Sequence, residues 1–475
     1  MIAGFRPATH GSGPAQGNRH RRRPSGQITW FSANRTTLAA GPPIAAQHRA
    51  HSFNLHRVPG AQPRKYLLGS VSEVPAQMEL TRTGAAVKWS ICHPDLFLHW
   101  TMLLFLESSL NGWGTEQHFV ALAVAMARRS HRVRCLMRTG SPLEAGLRAA
   151  QVPVTSLQFR GSTDPRLLGA LFRLVVQRRP DWLVTNDGKF YWPLVLLGRL
   201  TGARTAFFRH WPNMPKSTLT RVLVPRLADR FILVSRFQRD YLRGLGIDVS
   251  RMALLYNPID TTALRPSAQA RARMRASFGL AESDIAIGYV GRMVAEKGIF
   301  TLAEAAEQLL AAAPDARIVW VGEGADLPEL RARVEQSVQR RRHTFVSWTA
   351  DVQGVYTSLD IAVVPSQFPD PCPRVPVEAQ ACGVPVVCSS VGGLPETLLP
   401  EVSGLLVEPQ DAAGLSATIL RLVADPALRR AFGSAGREWV CANRSYERIA
   451  AAFEALLEPS QPPAATPAAS ETRLR

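Results

Sequence analysis

The sequence predicts an α/β protein built from two doubly wound, parallel-sheet domains, and three observations carry that expectation. Apolar runs of strand length alternate with segments of helix length along most of the chain. Crossovers of that length join parallel strands whose sheet is covered by helices on both faces. A chain of 475 residues is also too long for one core, since single cores stop growing near ~250–300 residues.

The elements follow in order. Residues 1–98 are rich in Gly, Pro, Ser, Arg and His, carry a basic cluster from Arg19 to Arg23, and show neither periodicity. They are expected to be a disordered basic extension, either an arm that touches nucleic acid or lipid, or a dispensable segment upstream of a true start at Met78 or Met102. The first domain, 99–258, opens with a buried strand at 101–107, a Gly-rich turn at 111–114 and a helix at 115–128. Strand-like runs follow at 132–137, 152–159, 182–186, 204–208, 231–235 and 253–256. At 257–266, NPIDTTALRP, the alternation breaks into a Pro-containing connector.

The second domain, 259–443, has a helix around 268–278 and strands at 285–290, 316–321, 344–347, 361–365, 384–388 and 404–407. Helices at 412–424 and 426–442 close it. A helix at 444–458 is expected to pack back toward the first domain, before a Pro/Ala/Ser tail at 459–475 that should be disordered.

Composition narrows the function classes. The formal charge of +19 is concentrated at one end, with eleven basic and two acidic residues in 1–85, so the remainder is only moderately basic. That balance suits a protein that handles polyphosphate or an anionic membrane surface, and makes nucleic acid a poor third partner. No apolar run reaches the ~18–20 residues that span a bilayer. The six cysteines, Cys92, Cys135, Cys372, Cys382, Cys388 and Cys441, form no C-x-x-C pair or zinc spacing. A reducing, cytoplasmic setting without a signal peptide is the simple reading.

In open α/β sheets ligands bind outside the carboxyl ends of the strands, so the loops after strands are the places to search. The strand IAIGYV ends in Gly291-Arg292, and Lys297-Gly298 follows where a helix begins. Two cations at a helix start can hold a diphosphate, although taken alone such residues are more often solvated surface charges. Gly322-Glu323-Gly324 and Gly392-Gly393-Leu394-Pro395-Glu396 are loops that could bring bare backbone to a ligand, or simply tight turns. Between them, Asp370 and Glu378 are separated by seven residues. With Pro373 near a first helical turn, the N–H groups of Arg374 and Val375 would face a phosphate, and Glu378 would lie about a turn further in, able to accept from ribose hydroxyls.

Six blocks in order give these pieces a common identity: Asn257-Pro258-Ile259-Asp260, Gly291-Arg292 to Lys297-Gly298, Val321 to Gly324, Asp360 to Ser366, Glu378-Ala379 through Pro385-Val386-Val387, and Gly392-Gly393-x-Pro395-Glu396. In this the chain resembles the retaining nucleotide-sugar glycosyltransferases of family 4, which have the GT-B fold, two Rossmann-like domains facing across a cleft. The resemblance implies a hexosyltransferase-type enzyme acting on a glycan or lipid-linked acceptor in cell-envelope or extracellular polysaccharide synthesis.

It further implies that Arg292 and Lys297 hold the donor diphosphate, Glu378 the ribose, the loop from Val321 to Gly324, including Gly322 and Glu323, the base, and Asp370 the transferred sugar. Gly291, Arg374, Val375, Gly392 and Gly393 complete the donor side. Gly112, Gly114, Thr115 and Glu116 resemble the Gly-rich loop facing phosphates and acceptor, and His210 the histidine beside the donor sugar. No cofactor or essential metal is implied, the nucleotide sugar being a co-substrate.

Two residues depart from the family pattern: Asp370 where Glu is usual, one methylene shorter, and Pro373 where Gly is frequent. They leave room for a non-catalytic nucleotide-sugar binder, or for an epimerase or phosphorylase on the same scaffold. Basic stretches at 166–179 and 216–243, interleaved with apolar residues, read either as a peripheral contact with the anionic inner face of a membrane or as ordinary helices packed on the sheet.

Overall fold

The computed structural model describes residues 101–110, 114–210 and 217–458. The expectations for 1–98, for the tail and for Gly112 fall outside the described residues. The chain begins with β1 (Met102–Glu107), α1 (Gly114–Arg128), β2 (Arg132–Arg138), α2 (Glu144–Ala149), β3 (Val154–Leu157) and α3 (Pro165–Arg178). Next come β4 (Trp182–Thr185), α4 (Tyr191–Thr201), β5 (Arg204–Arg209), α5 (Thr218–Leu227), β6 (Arg230–Leu233), α6 (Arg236–Gly244) and β7 (Met252–Leu254). The second half runs α7 (Ala268–Ser277), β8 (Ile285–Val290), α8 (Ile299–Ala312), β9 (Ala316–Val321), α9 (Leu327–Glu335), β10 (His343–Val346) and α10 (Val352–Ser358). It ends with β11 (Ile361–Val364), α11 (Val375–Ala381), β12 (Val386–Ser389), β13 (Gly404–Val407), α12 (Ala412–Ala424), α13 (Pro426–Arg444) and α14 (Tyr446–Leu457).

Two all-parallel sheets result, with strand orders β3-β2-β1-β4-β5-β6-β7 and β10-β9-β8-β11-β12-β13. In each, the order reverses beside the first strand of that half, between β1 and β4 and between β8 and β11, which opens a crevice at the carboxyl ends. Both sheets belong to one compact unit. The central strands are buried on both faces, which is why they read as unbroken apolar runs such as MLLFLE and ARIVWV. On one face of the first sheet Leu104, Leu183 and Phe207 pack under α3, α4 and α5. On the other, Phe105, Trp182 and Phe208 pack under α1 and α14.

That last contact ties the halves together. The backbone N–H of Ile259 donates to the Arg444 carbonyl at 2.7 Å, and α14 then lays Ile449, Ala450, Phe453 and Leu457 on the first sheet. Phe453 meets Phe105 edge-on with centroids 6.5 Å apart and Phe208 at 5.4 Å. Arg129 and His131 both bond Glu454, and Arg230 donates to the Leu456 carbonyl at 2.5 Å. Arg444 is buried, its guanidinium 3.5 Å from the Tyr256 ring centroid. Among the described residues no helix is long and apolar enough to cross a membrane.

Candidate active site

The second-half loops assemble around their glycines. Gly322 has φ +139°, and a Cβ there would lie 1.9 Å from the Gly291 carbonyl oxygen, so only glycine lets the loops after β8 and β9 meet. The Gly291 N–H donates to the Val321 carbonyl at 3.0 Å and that of Met293 to the Glu323 carbonyl at 2.9 Å. Gly291, Arg292, Gly322 and Glu323 are thereby brought together. Gly298, at φ +76°, starts α8 against the Pro365 carbonyl, where a Cβ would approach to 1.7 Å. The next loop is latched on as well, the N–H groups of Gln367 and Phe368 both donating to the Glu296 carbonyl, at 2.9 and 3.0 Å.

This packing sets Lys297 beside Asp370, Nζ to Oδ2 3.4 Å, with the ammonium 5.4 Å from the Phe368 ring centroid. Arg292 is 69% exposed and bonds Glu296 at 3.0 Å. The two cations therefore sit on one loop but hold different carboxylates.

The glycines Gly392 and Gly393 pack closely on the neighbouring loop: a Cβ on either would run into the backbone of Pro369 to Pro371, and the Gly393 N–H donates to the Asp370 carbonyl at 2.8 Å. Their work is to seat the Asp370 loop. One expectation is corrected here: Pro373 does not lie in a first helical turn. The helix α11 begins at Val375 with Arg374 as its N-cap, and the proline in the first turn is Pro376, which removes a donor from the helix start.

Glu378 is buried and already partnered. Its Oε2 accepts from the Tyr356 hydroxyl at 2.9 Å and its Oε1 from Arg374 Nε at 2.8 Å. Burial and this neighbouring carboxylate raise the Tyr356 phenol well above its ordinary pKa. A ribose hydroxyl reaches Glu378 only by displacing Arg374 or by sharing its oxygen.

Arg374 spans the cleft: its Nη1 donates to Gln117 Oε1 of α1 at 3.1 Å, and its Cδ lies 3.1 Å from where a Gly114 Cβ would stand. The missing Cβ of Gly114 makes room for the arginine stem. A small cavity of about 10 Å3 beneath it is lined by His118, Cys372, Arg374, Glu396 and Arg444. Glu396 accepts from the N–H groups of Arg236 and Phe237 at 2.8 and 2.6 Å, capping α6 from the opposite half, and from the Tyr256 hydroxyl at 2.7 Å.

Facing this, an open cavity of about 430 Å3 occupies the carboxyl ends of the first-sheet strands. Thr115 and Glu116 line it from α1, and His210 from the end of β5. It also contains residues that sequence reasoning missed: Glu107 ends β1, Arg138 ends β2, Asn186, Asp187 and Lys189 follow β4, and Arg209 ends β5. The shared signal was their place at strand ends on both sides of the crevice.

Glu107 is 3% exposed, takes the Ser109 N–H on Oε1 at 2.8 Å, and has no partner for Oε2 among the described residues. Burial, aided by nearby Glu116 and Asp187, raises its pKa to about 7. Neither ring nitrogen of His210 has a hydrogen-bond partner among the described residues, and burial together with Arg209 lowers its pKa to about 3, so the ring is neutral at pH 7. No group of three metal-ligating side chains occurs among the described residues.

Residues 270–439 match the family model of glycosyl transferases group 1, and residues 113–263 that of glycosyltransferase family 4. An alpha-maltose-1-phosphate synthase of Mycolicibacterium smegmatis is 32% identical over 47% of this chain and 61% of its own length. A GDP-mannose-dependent alpha-(1-6)-phosphatidylinositol monomannoside mannosyltransferase of the same organism is 29% identical over 56% of this chain and 74% of its own. The chain thus spans under two thirds of the first relative and about three quarters of the second. An Anabaena protein crystallised in complex with UDP shares the fold, with a TM-score of 0.67 at 20% identity over 75% of this chain and 99% of that one.

Proposed function

Because the chain belongs to the group 1 and family 4 glycosyltransferases of GT-B fold, we propose that it transfers a sugar, with retention, from a nucleotide-sugar donor to a hydroxyl of an acceptor. The observation that carries this reading is the pairing of two unlike sites across one cleft. On one side the loops after β8, β9 and β11 gather Arg292, Lys297, Asp370, Arg374 and Glu378; on the other lies an open, polar cavity edged by His210.

In the mechanism, negative charge grows on the leaving diphosphate as the anomeric C–O bond breaks. Arg292 and Lys297 stabilise that charge, and Glu296 and Asp370 give up these cations as the donor enters. The acceptor hydroxyl attacks from the side the diphosphate is leaving and passes its proton to the departing phosphate oxygen. Glu107 and Glu116, each with a buried carboxylate oxygen lacking a partner among the described residues, are placed to accept from acceptor hydroxyls. The neutral His210 offers either a donor or an acceptor to the sugar. The charge is handled by protein cations, so no essential metal is proposed. Relatives named for maltose-1-phosphate, phosphatidylinositol monomannoside and D-inositol 3-phosphate support a glycan or lipid-linked acceptor and a role in cell-envelope or extracellular polysaccharide synthesis.

The test is nucleoside diphosphate release from UDP- and GDP-sugars, with and without candidate acceptors. Acceptor-dependent release with retained anomeric configuration is expected, unchanged by chelator. Binding without release would leave a nucleotide-sugar binder, an altered nucleotide sugar without release an epimerase, a demand for free phosphate a phosphorylase, and activity restored only by magnesium would remove the metal-free mechanism.

A further inference from the structure

Three neighbouring helices on one face of the first sheet are apolar on both sides. In α3, Leu167, Leu171 and Val175 are buried against the sheet, while the adjacent positions Leu168, Phe172 and Val176 form a second stripe, 39, 53 and 49% exposed. A surface helix ordinarily carries polar residues there. On α4, Leu196 and Leu200 are 60 and 78% exposed, and on α5 Leu219 is 61% exposed. The Trp192 indole N–H donates to Thr220 Oγ1 at 3.0 Å and fixes α4 to α5, so the three outer sides lie side by side. Isolated exposed leucines are unremarkable, but a multi-helix patch is not.

The charge on these helices is one-signed. The sequences PRLLGALFRLVVQR, YWPLVLLGRLT and TLTRVLVPRL contain no acidic residue, and among their arginines Arg166, Arg173, Arg199 and Arg226 are exposed. That combination selects the occupant. A second copy docked face to face would set these arginines against their own copies, and residues 1–85, with eleven basic and two acidic residues, carry the same sign. A surface offering both apolar depth and dense negative charge satisfies both halves of the pattern.

We infer that the outer face of α3, α4 and α5 docks on an anionic lipid surface, seating Phe172, Val176 and Leu200 among acyl chains while the arginines meet headgroup phosphates. The inference is independent of the transfer reading, since a soluble acceptor would be used whether or not the protein docks.

The experiment is vesicle flotation of the full chain with phosphatidylcholine alone and with phosphatidylcholine plus phosphatidylglycerol. Binding is expected only with the anionic vesicles, weakened by salt. The triple variant Phe172→Gln/Val176→Gln/Leu200→Gln should bind roughly tenfold less tightly. Arg173→Glu/Arg226→Glu, which leaves the apolar stripe intact, should lose binding to a similar extent. Unchanged melting of both variants checks their fold. No flotation of the parent chain overturns the inference. So does equal flotation of parent and triple variant, which places binding on the basic N-terminal residues, and so does a dimer that the triple variant dissociates.

Discussion

Arg292 and Lys297 each hold a carboxylate that a diphosphate must displace, so their contribution appears only when the donor is bound. Arg292→Ala or Lys297→Ala is expected to lower turnover by at least ~100-fold with little change in melting temperature. Near-normal rates in both would remove them from the chemistry. Glu107 allows a different test. Its pKa is about 7 folded against 4.5 ordinarily, so between those values the folded protein holds a proton that the unfolded chain has released. The stabilising contribution is complete below about pH 4.5 and disappears as pH rises to about 7. Two and a half pKa units correspond to ~3 kcal/mol. Glu107→Gln should flatten that slope in urea titrations between pH 5 and pH 7; an unchanged slope would show the carboxylate ionised. Glu107, Arg138, Asp187 and Arg209 were not legible as a group. They are far apart in sequence with no motif spacing, and only the order β2-β1-β4-β5 brings them together.

Among elements, central strands were the most legible, because burial on both faces writes them as continuous apolar runs: 285–290 and 316–321 match to the residue, and the edge strand 404–407 does so as well. The edge strand β3 is half the length expected at 152–159, since an edge has one neighbour and a weaker pattern. The start of α11 was misplaced by a proline-rich run in which Pro371, Pro373 and Pro376 each fit a first turn; Pro376 occupies it. The junction at Gly298 shows how tightly loop and helix are fitted. Gly298→Ala combines a left-handed φ with a Cβ inside contact distance of the Pro365 carbonyl, and is expected to cost roughly 1–3 kcal/mol in urea unfolding. Retained stability would mean that the Pro365 loop moves aside.

At the scale of the molecule, the two sheets behave as one because α14 from the end of the chain completes the core of the beginning. Phe453, fully buried between Phe105 and Phe208, is the largest fully buried side chain α14 contributes to that core. Phe453→Ala should destabilise the whole chain by about 3–5 kcal/mol, read as one shifted transition by circular dichroism. A selective early loss of α14, with both sheets intact, would show that the halves are thermodynamically separate.

The position of α14 also decides when the protein can be finished. The first sheet is synthesised early, yet one of its faces is covered by α1 alone until the last helix has left the ribosome. Every nascent chain therefore carries the sides of Phe105 and Phe208 that Phe453 will meet uncovered throughout translation of the second half. Any messenger cut short before Tyr446 yields a product that displays that face permanently, a ready mark for chaperones and proteases to distinguish broken chains from whole ones.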